Sequence, residues 1–265
     1  MNWIEEDPGL VLHDRPDAQI GDLRRPHAWF CDLDELDSGA SALSVLSATE
    51  RSRGMRLRRD QDRRRYVARH AFVRRVLGAV LDRPPESLVY RTGRCGKPYL
   101  SGGLESKREG LRFLNFSLSH SENILALAVT SGRELGIDVE VVQPLSDSLA
   151  IAAMPVELVT PELLPSRPAG ERDFTFYRLW TRNEAVAKMH GRGIDCRHTH
   201  EPSTIPRWIL RSFTFDRGGK QIVGAFAIED LLGPPFCSFR ACLAFGRSSL
   251  LPHLRQRVAR IAFRA

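Results

Sequence analysis

The chain has 265 residues, with 39 Lys and Arg against 32 Asp and Glu, a formal net charge of +7 and a sequence pI near 9.5. At 42% hydrophobic residues it can bury a real core, as one large domain or two small ones. No signal-peptide-like apolar region and no apolar run of ~18 residues is present, so neither secretion nor membrane spanning is supported. Five cysteines (Cys31, Cys95, Cys196, Cys237, Cys242) form no C-x-x-C pair, and their odd number predicts reduced thiols in a cytoplasmic protein. The basic excess is local, with eleven arginines against two aspartates between Arg51 and Arg75, and favours an acidic or phosphorylated partner.

Residues 1–25 are acidic, Pro-containing and weakly patterned, and read as a loose N-terminal extension. His27–Leu33 alternates in part and predicts a first strand. Ser47-Ala-Thr-Glu50 has the spacing of a capping box, and from there to about Leu81 the pattern is helical. Met55, Tyr66, Val67, Phe72, Val73, Val76, Leu77 and Val80 supply its apolar stripe, and Asp82-Arg-Pro-Pro85 stops it. Leu88–Tyr90 is a short strand candidate, followed by the Gly-rich turn Thr92–Pro98 with Lys97 at its tip. Phe113–Ser117 runs as a strand into Ser119-His120-Ser121, Ile124–Val129 reads as a buried strand, and a turn at Ser131–Arg133 leads into Leu135–Glu140. Short strands joined by hairpin-like turns after a helix predict an α+β unit with an antiparallel sheet.

Residues 142–173, rich in Pro and small residues, are the best candidate linker. Phe174–Trp180 leads into Thr181–Met189, helical by composition and closed by Gly191-Arg-Gly193. Phe213–Phe215, Val223–Ile228 and Cys237–Phe245 predict strands of a second sheet, and Leu254–Phe263 a basic amphipathic tail. No repeat with a period of 20–50 residues is visible, but a long helix followed by short strands recurs in both halves. Trp29 and Trp208 are expected in the core.

Two acidic elements carry chemistry. In an extended chain residues i and i+2 share a face, so Asp138 and Glu140 present two carboxylates side by side. Such oxygens repel unless a hard cation such as Mg²⁺ lies between them, while the plain reading is a solvated strand end. Glu184 and Lys188, four apart, share a helix face, where such a pair is ordinarily a surface salt bridge. Trp180, one turn earlier, anchors that face by burial.

Lys97 in Gly-Lys-Pro, Asn115-Phe-Ser-Leu-Ser-His120-Ser, Gly136-Ile-Asp138-Val-Glu140 and Trp180-Thr-x-x-Glu184-Ala-x-x-Lys188-x-x-Gly-x-Gly193 stand in one order. Together they resemble the motifs of the 4′-phosphopantetheinyl transferases of the Sfp (surfactin synthetase-activating) type. The likeness spans Gly96 to Ile194 and extends through the Arg-rich helix back to about Ser47. It implies a pseudo-dimer of two similar α+β halves, 26–136 and 137–265, each a helix packed on a small antiparallel sheet, with coenzyme A in the cleft between them. Asp138, Glu140 and Glu184 then occupy the Mg²⁺ positions. Lys188 matches a phosphate-contacting Lys that assists the leaving group, and Lys97, Ser119 and His120 match phosphate-contacting positions. Arg53 and Arg65 fall at coenzyme A-binding positions of the first helix. Glu162, in Thr160-Pro-Glu162-Leu, is the implied general base, with Glu140 or a metal-bound water as alternatives.

Coenzyme A carries a diphosphate and a 3′-phosphate, which these cations and donors suit. The implied reaction moves the phosphopantetheine arm to a Ser of an apo acyl, peptidyl or aryl carrier protein, for secondary metabolism or siderophores. A monomer is implied. Two positions depart from the family, Asn183 where a Lys is usual and Glu50 where a basic residue is common. They support the alternative of a catalytically weak protein that binds coenzyme A or a carrier on the same fold. A nucleic-acid surface on the arginine helix has no aromatic platform to go with it, so no nucleic-acid partner is expected. A zinc site at His190, Cys196, His198 and His200 matches no structural-zinc spacing.

Overall fold

Ile124–Ser131 is buried on both faces along nearly its whole length, which places it between two packed layers. The computed structural model describes residues 11–13, 20–93, 95–101, 113–145, 168–191 and 207–231. They form β1 (Val11–His13), β2 (His27–Asp32), α1 (Ala40–Val45), α2 (Ala48–Met55), α3 (Asp60–Leu81), a 3₁₀ turn (Pro85–Ser87), β3 (Tyr90–Thr92), β4 (Pro98–Leu100), β5 (Leu114–Ser121), β6 (Ile124–Ser131), β7 (Leu135–Val141), α4 (Ala169–Met189), β8 (Trp208–Arg217) and β9 (Lys220–Glu229).

A four-stranded sheet has the order β1-β2-β6-β5 and a three-stranded sheet the order β7-β9-β8, with β3-β4 a separate small hairpin. Alternate residues of each strand go to opposite faces, and the cores follow from that. Trp29, Cys31, Leu125, Leu127 and Phe116 of the first sheet pack under Phe72, Val76, Leu77 and Val80 of α3. The opposite face, with Phe30, Ile124, Ala126 and Ala128, meets Ile137, Val139, Phe213, Phe226 and Ile228 of the second sheet. The outer face of the second sheet carries α4, through Trp180 on Val223 and through Ala185 and Met189 on Ala225 and Ala227. The architecture is therefore α+β, in layers of helix, sheet, sheet and helix. No helix among the described residues is long and apolar enough to cross a membrane.

Several expectations are corrected. The N-terminal stretch supplies an edge strand, β1, which pairs parallel with β2 through Val11↔His27, so the first sheet is mixed. The helix expected from Ser47 to Leu81 is two, because the chain turns at residues 56–59 and a new helix starts with Asp60 and Asp62 in its first turn, where acids favour the helix dipole. Met55 lies at that break and is 76% exposed, so it leaves the apolar stripe. Leu88 precedes the third strand, which starts at Tyr90, and β5 extends through Ser119-His120-Ser121. Ala169–Met189 is one continuous helix, beginning inside the expected linker. Trp29 is fully buried, but Trp208 is 40% exposed at the start of the edge strand β8. Cys31 is buried and outside any disulfide, whereas Cys95 in the β3–β4 turn is disulfide-bonded, against the expectation of reduced thiols. Cys237–Phe245 and the C-terminal tail lie outside the described residues.

The capping box is present. Ser47 Oγ accepts from the Glu50 N–H at 3.2 Å, and the Ser47 N–H donates to Glu50 Oε2 at 2.7 Å. Glu50 has a second task, accepting from Arg74 Nε at 2.8 Å, and Arg74 in turn donates to the Pro85 and Leu88 carbonyls. Glu50 thus ties α2 to α3 and to the 3₁₀ turn. Burial pushes its carboxyl up, but hydrogen bonds from His70, the Ser47 N–H and Arg74 outweigh this and hold it at about 2. A carboxylate so depressed stabilises the fold above its usual value of 4.5, and the benefit is lost as pH falls towards 2. At 1.36 kcal/mol per unit that is about 3 kcal/mol. Glu50→Gln should cost about 3–5 kcal/mol, because Arg74, only 2% exposed, is left buried without its counter-charge. Urea denaturation at pH 7 and at pH 3 checks both statements: the variant should be less stable at neutral pH and lose less on acidification.

Candidate functional site

In β7, Leu135, Ile137, Val139 and Val141 face the core between the sheets, so Gly136, Asp138 and Glu140 face α4. The helix lies very close on this side. A Cβ on Gly136 would stand 1.9 Å from the Ala185 carbonyl oxygen and 2.5 Å from the Met189 nitrogen, so only glycine permits the approach. The approach brings Lys188 Nζ to 2.7 Å from Asp138 Oδ1.

The second neighbour of these acids is β5, the edge of the first sheet. Ser117, Ser119 and Ser121 share one of its faces, and each reaches β7. Ser117 Oγ accepts from the Ile137 N–H at 3.1 Å, and Ser121 Oγ from the Val141 N–H at 3.2 Å. Ser119 Oγ donates to Asp138 Oδ1 at 2.6 Å, and Ser121 Oγ to Glu140 Oε2 at 2.5 Å. Asp138, with a side chain only 4% exposed, therefore has one oxygen held by Lys188 and Ser119. Its other oxygen, Oδ2, is buried with no hydrogen bond among the described residues. Burial, then the Asp138 charge, push the Glu140 carboxyl up to about 8, with Glu184 adding a smaller push and Ser121 and Lys188 pulling the other way.

Among the described residues no group of three His, Cys, Asp or Glu side chains is gathered into a preformed metal cage. The pair on β7 nevertheless fits a hard divalent cation. Two carboxylates stand side by side, one with an orphaned buried oxygen and the other with its charge disfavoured by burial and by its acidic neighbour. Mg²⁺ is commonly held by one or two carboxylates with substrate phosphates completing the shell.

The other expected site residues fall as follows. Glu184 sits on the same helix as Lys188, one residue before the buried Ala185. Lys97 Nζ donates to Glu134 Oε2 at 2.7 Å and to the Met189 and Leu135 carbonyls at 3.2 and 3.3 Å, tying the β3–β4 turn to the C-terminal end of α4. A cation there also suits the helix dipole. Arg65 forms a two-pronged pair with Asp34, Nε–Oδ1 2.7 Å and Nη2–Oδ2 2.5 Å. Arg53 is exposed in the last turn of α2. His120 follows Ser119 on the opposite face of β5, the face of Phe116 and Leu118 beneath α3. Glu162, Cys196, His198 and His200 lie outside the described residues, and His190 meets the Trp208 ring edge-on at 5.2 Å. The Glu50 departure belongs to the helix frame through Arg74, which removes one of the two supports for a weakened site.

Two residues that hold the site together carried no role in the sequence reading, Gly136 and Ser121. The available signal was serines at period 2 on one strand followed by alternating acids on another.

No family model matches the sequence. Curated relatives do. A 4′-phosphopantetheinyl transferase HetI of Nostoc sp. is 34% identical over 196 residues, 72% of this chain and 76% of that protein. The 4′-phosphopantetheinyl transferase psf-1 of Bacillus pumilus is 29% identical over 56% of this chain and 59% of its own. The 4′-phosphopantetheinyl transferase AcpT of Salmonella typhimurium is 32% identical over 44% and 55%.

Proposed function

The chain belongs to the 4′-phosphopantetheinyl transferases, and we propose that it moves the phosphopantetheine arm of coenzyme A onto a serine of an apo carrier protein. The observation that carries the reading is the meeting of Asp138, Glu140 and Lys188. Two carboxylates and an ammonium at one place suit a phosphate group bound together with a divalent cation.

In the proposed reaction the carrier serine oxygen attacks the β-phosphorus of coenzyme A, and the bond from that phosphorus to the bridging oxygen breaks. The electron pair leaves with 3′,5′-ADP. The serine proton passes to a base, for which Glu162 is our candidate. Lys188 is placed in the reading to neutralise charge on the departing phosphate. Asp138, Glu140 and Glu184 are the proposed Mg²⁺ ligands; when bound, the ion supplies charge neutralisation to the diphosphate. Ser119, His120, Arg53, Arg65 and Lys97 are the proposed contacts to coenzyme A. Arg65 and Lys97 hold the carboxylates of Asp34 and Glu134, so phosphate binding through them exchanges one anion for another.

We further assign the chain, by its motifs, to the Sfp type. This implies two pseudo-symmetric halves, 26–136 and 137–265, acting as a monomer in the cytoplasm on carriers of secondary metabolism or siderophore synthesis. Such carriers tend to be acidic, which suits a net charge of +7. Incubating apo acyl and peptidyl carriers with coenzyme A, Mg²⁺ and the protein should add the phosphopantetheine mass to the carrier, and a chelator should abolish the gain. No mass gain on any of several apo carriers would overturn the assignment.

A further inference from the structure

We propose that Ser121 is a positioning residue for the transfer, orienting Glu140 towards the cation; the proposal rests on the reading that Asp138 and Glu140 are ligands. Its single hydroxyl has two partners. It accepts from the Val141 N–H at 3.2 Å and donates to Glu140 Oε2 at 2.5 Å. The first bond fixes the serine rotamer against the β7 backbone, and the second fixes one oxygen of the carboxylate against the serine. Glu140 has three side-chain torsions and no other hydrogen bond among the described residues, so without this contact its carboxylate is free to swing.

Ser119 treats Asp138 in the same way, giving Oδ1 a donor at 2.6 Å while Oδ2 is left with no hydrogen bond. The two serines lie i and i+2 on β5, as the two acids lie i and i+2 on β7, so the spacing of one pair matches that of the other. Each carboxylate spends one oxygen on the first sheet and keeps the second for a ligand. The edge between the two sheets thereby sets the direction in which both acids point. Groups that orient metal-binding carboxylates are typically worth roughly 10–100-fold in metal affinity or activity.

Ser117 provides an internal control. It makes the same kind of bond across the same seam, to the Ile137 N–H at 3.1 Å, but touches no carboxylate. Mn²⁺ binding to the full-length protein, read by electron paramagnetic resonance without coenzyme A or carrier, separates the two roles. Ser121→Ala should weaken Mn²⁺ by roughly tenfold or more, Ser121→Thr should restore it by returning the hydroxyl, and Ser117→Ala should bind as the wild type does. Thermal unfolding of all three shows whether the seam itself has been harmed. Glu140→Gln tests the premise separately: unchanged Mn²⁺ affinity there removes the ligand reading. If Glu140→Gln loses Mn²⁺ while Ser121→Ala keeps it, or if Ser117→Ala loses as much as Ser121→Ala, the positioning role of Ser121 is refuted.

Discussion

Gly136→Ala should destabilise the protein by about 3 kcal/mol or more, the upper end for an overpacked core position. Its Cβ would stand 1.9 Å from the Ala185 oxygen and 2.5 Å from the Met189 nitrogen. Both are backbone atoms, so no rotamer change relieves the clash, and either β7 or the whole of α4 has to move. Two features resist that movement. Ala185 and Met189 are packed on Ala225 and Ala227, and Lys97 holds the Met189 carbonyl. Alanine does gain up to about 1 kcal/mol over glycine through lower backbone entropy in the unfolded chain, but that is the smaller effect. For a chain of this size the net cost corresponds to a fall in Tm of about 6–12 °C. If the variant folds, the displaced helix takes Lys188 away from Asp138, and phosphopantetheinyl transfer should fall with it. Calorimetry or circular dichroism decides the first point, and a Tm within about 2 °C of wild type would show that α4 does not press on this glycine.

What could be read from the sequence was local. The capping box at Ser47 and Glu50 depends on three residues of spacing, and both of its bonds are present. The shared face of Asp138 and Glu140 follows from the period of a strand and survives whatever the strand packs on. Elements whose form depends on distant partners were misjudged. The stretch Arg56-Leu-Arg-Arg59 is composed of good helix formers, yet the chain turns there, and the turn sets Gly54 against the Tyr66 ring of the next helix. Glu50 reads as an odd charge in a basic helix because its partner, Arg74, is 24 residues away. Lys97 reads as a turn residue reaching for phosphate, while its structural partners, Glu134 and Met189, come from two other elements. Gly136 has no role that its own stretch, Leu135–Glu140, reveals, because its reason lies in α4, which begins more than thirty residues later. The serines of β5 gain their meaning from β7, a strand of another sheet, and no pattern internal to one strand announces that neighbour.

Asp138→Asn should slow the transfer at least about a hundredfold, equivalent to about 3 kcal/mol of lost stabilisation of the reacting phosphate. Two causes for such a loss need separating. Asp138 is bonded to Lys188 at 2.7 Å, with side chains 4% and 24% exposed, so part of any effect arises from a largely buried ammonium deprived of its partner. A purely structural pair predicts that Asp138→Asn and Lys188→Met each damage the protein, and that the double variant recovers much of the loss, since no charge is then left unpaired. A working pair predicts the reverse for activity, because one variant loses a cation ligand and the other a phosphate contact, and combining them restores neither. Stability and turnover should therefore part company in the double variant, with Tm regained and transfer still absent. Protonation of Glu140 does not confuse the outcome. Its carboxyl is raised first by burial and next by the Asp138 charge, so removing that charge lowers it and favours the ionised form. Any loss of transfer in Asp138→Asn then occurs with Glu140 more fully charged than before, and belongs to Asp138 itself. Recovery of transfer in the double variant would instead assign the Asp138–Lys188 contact to the fold alone.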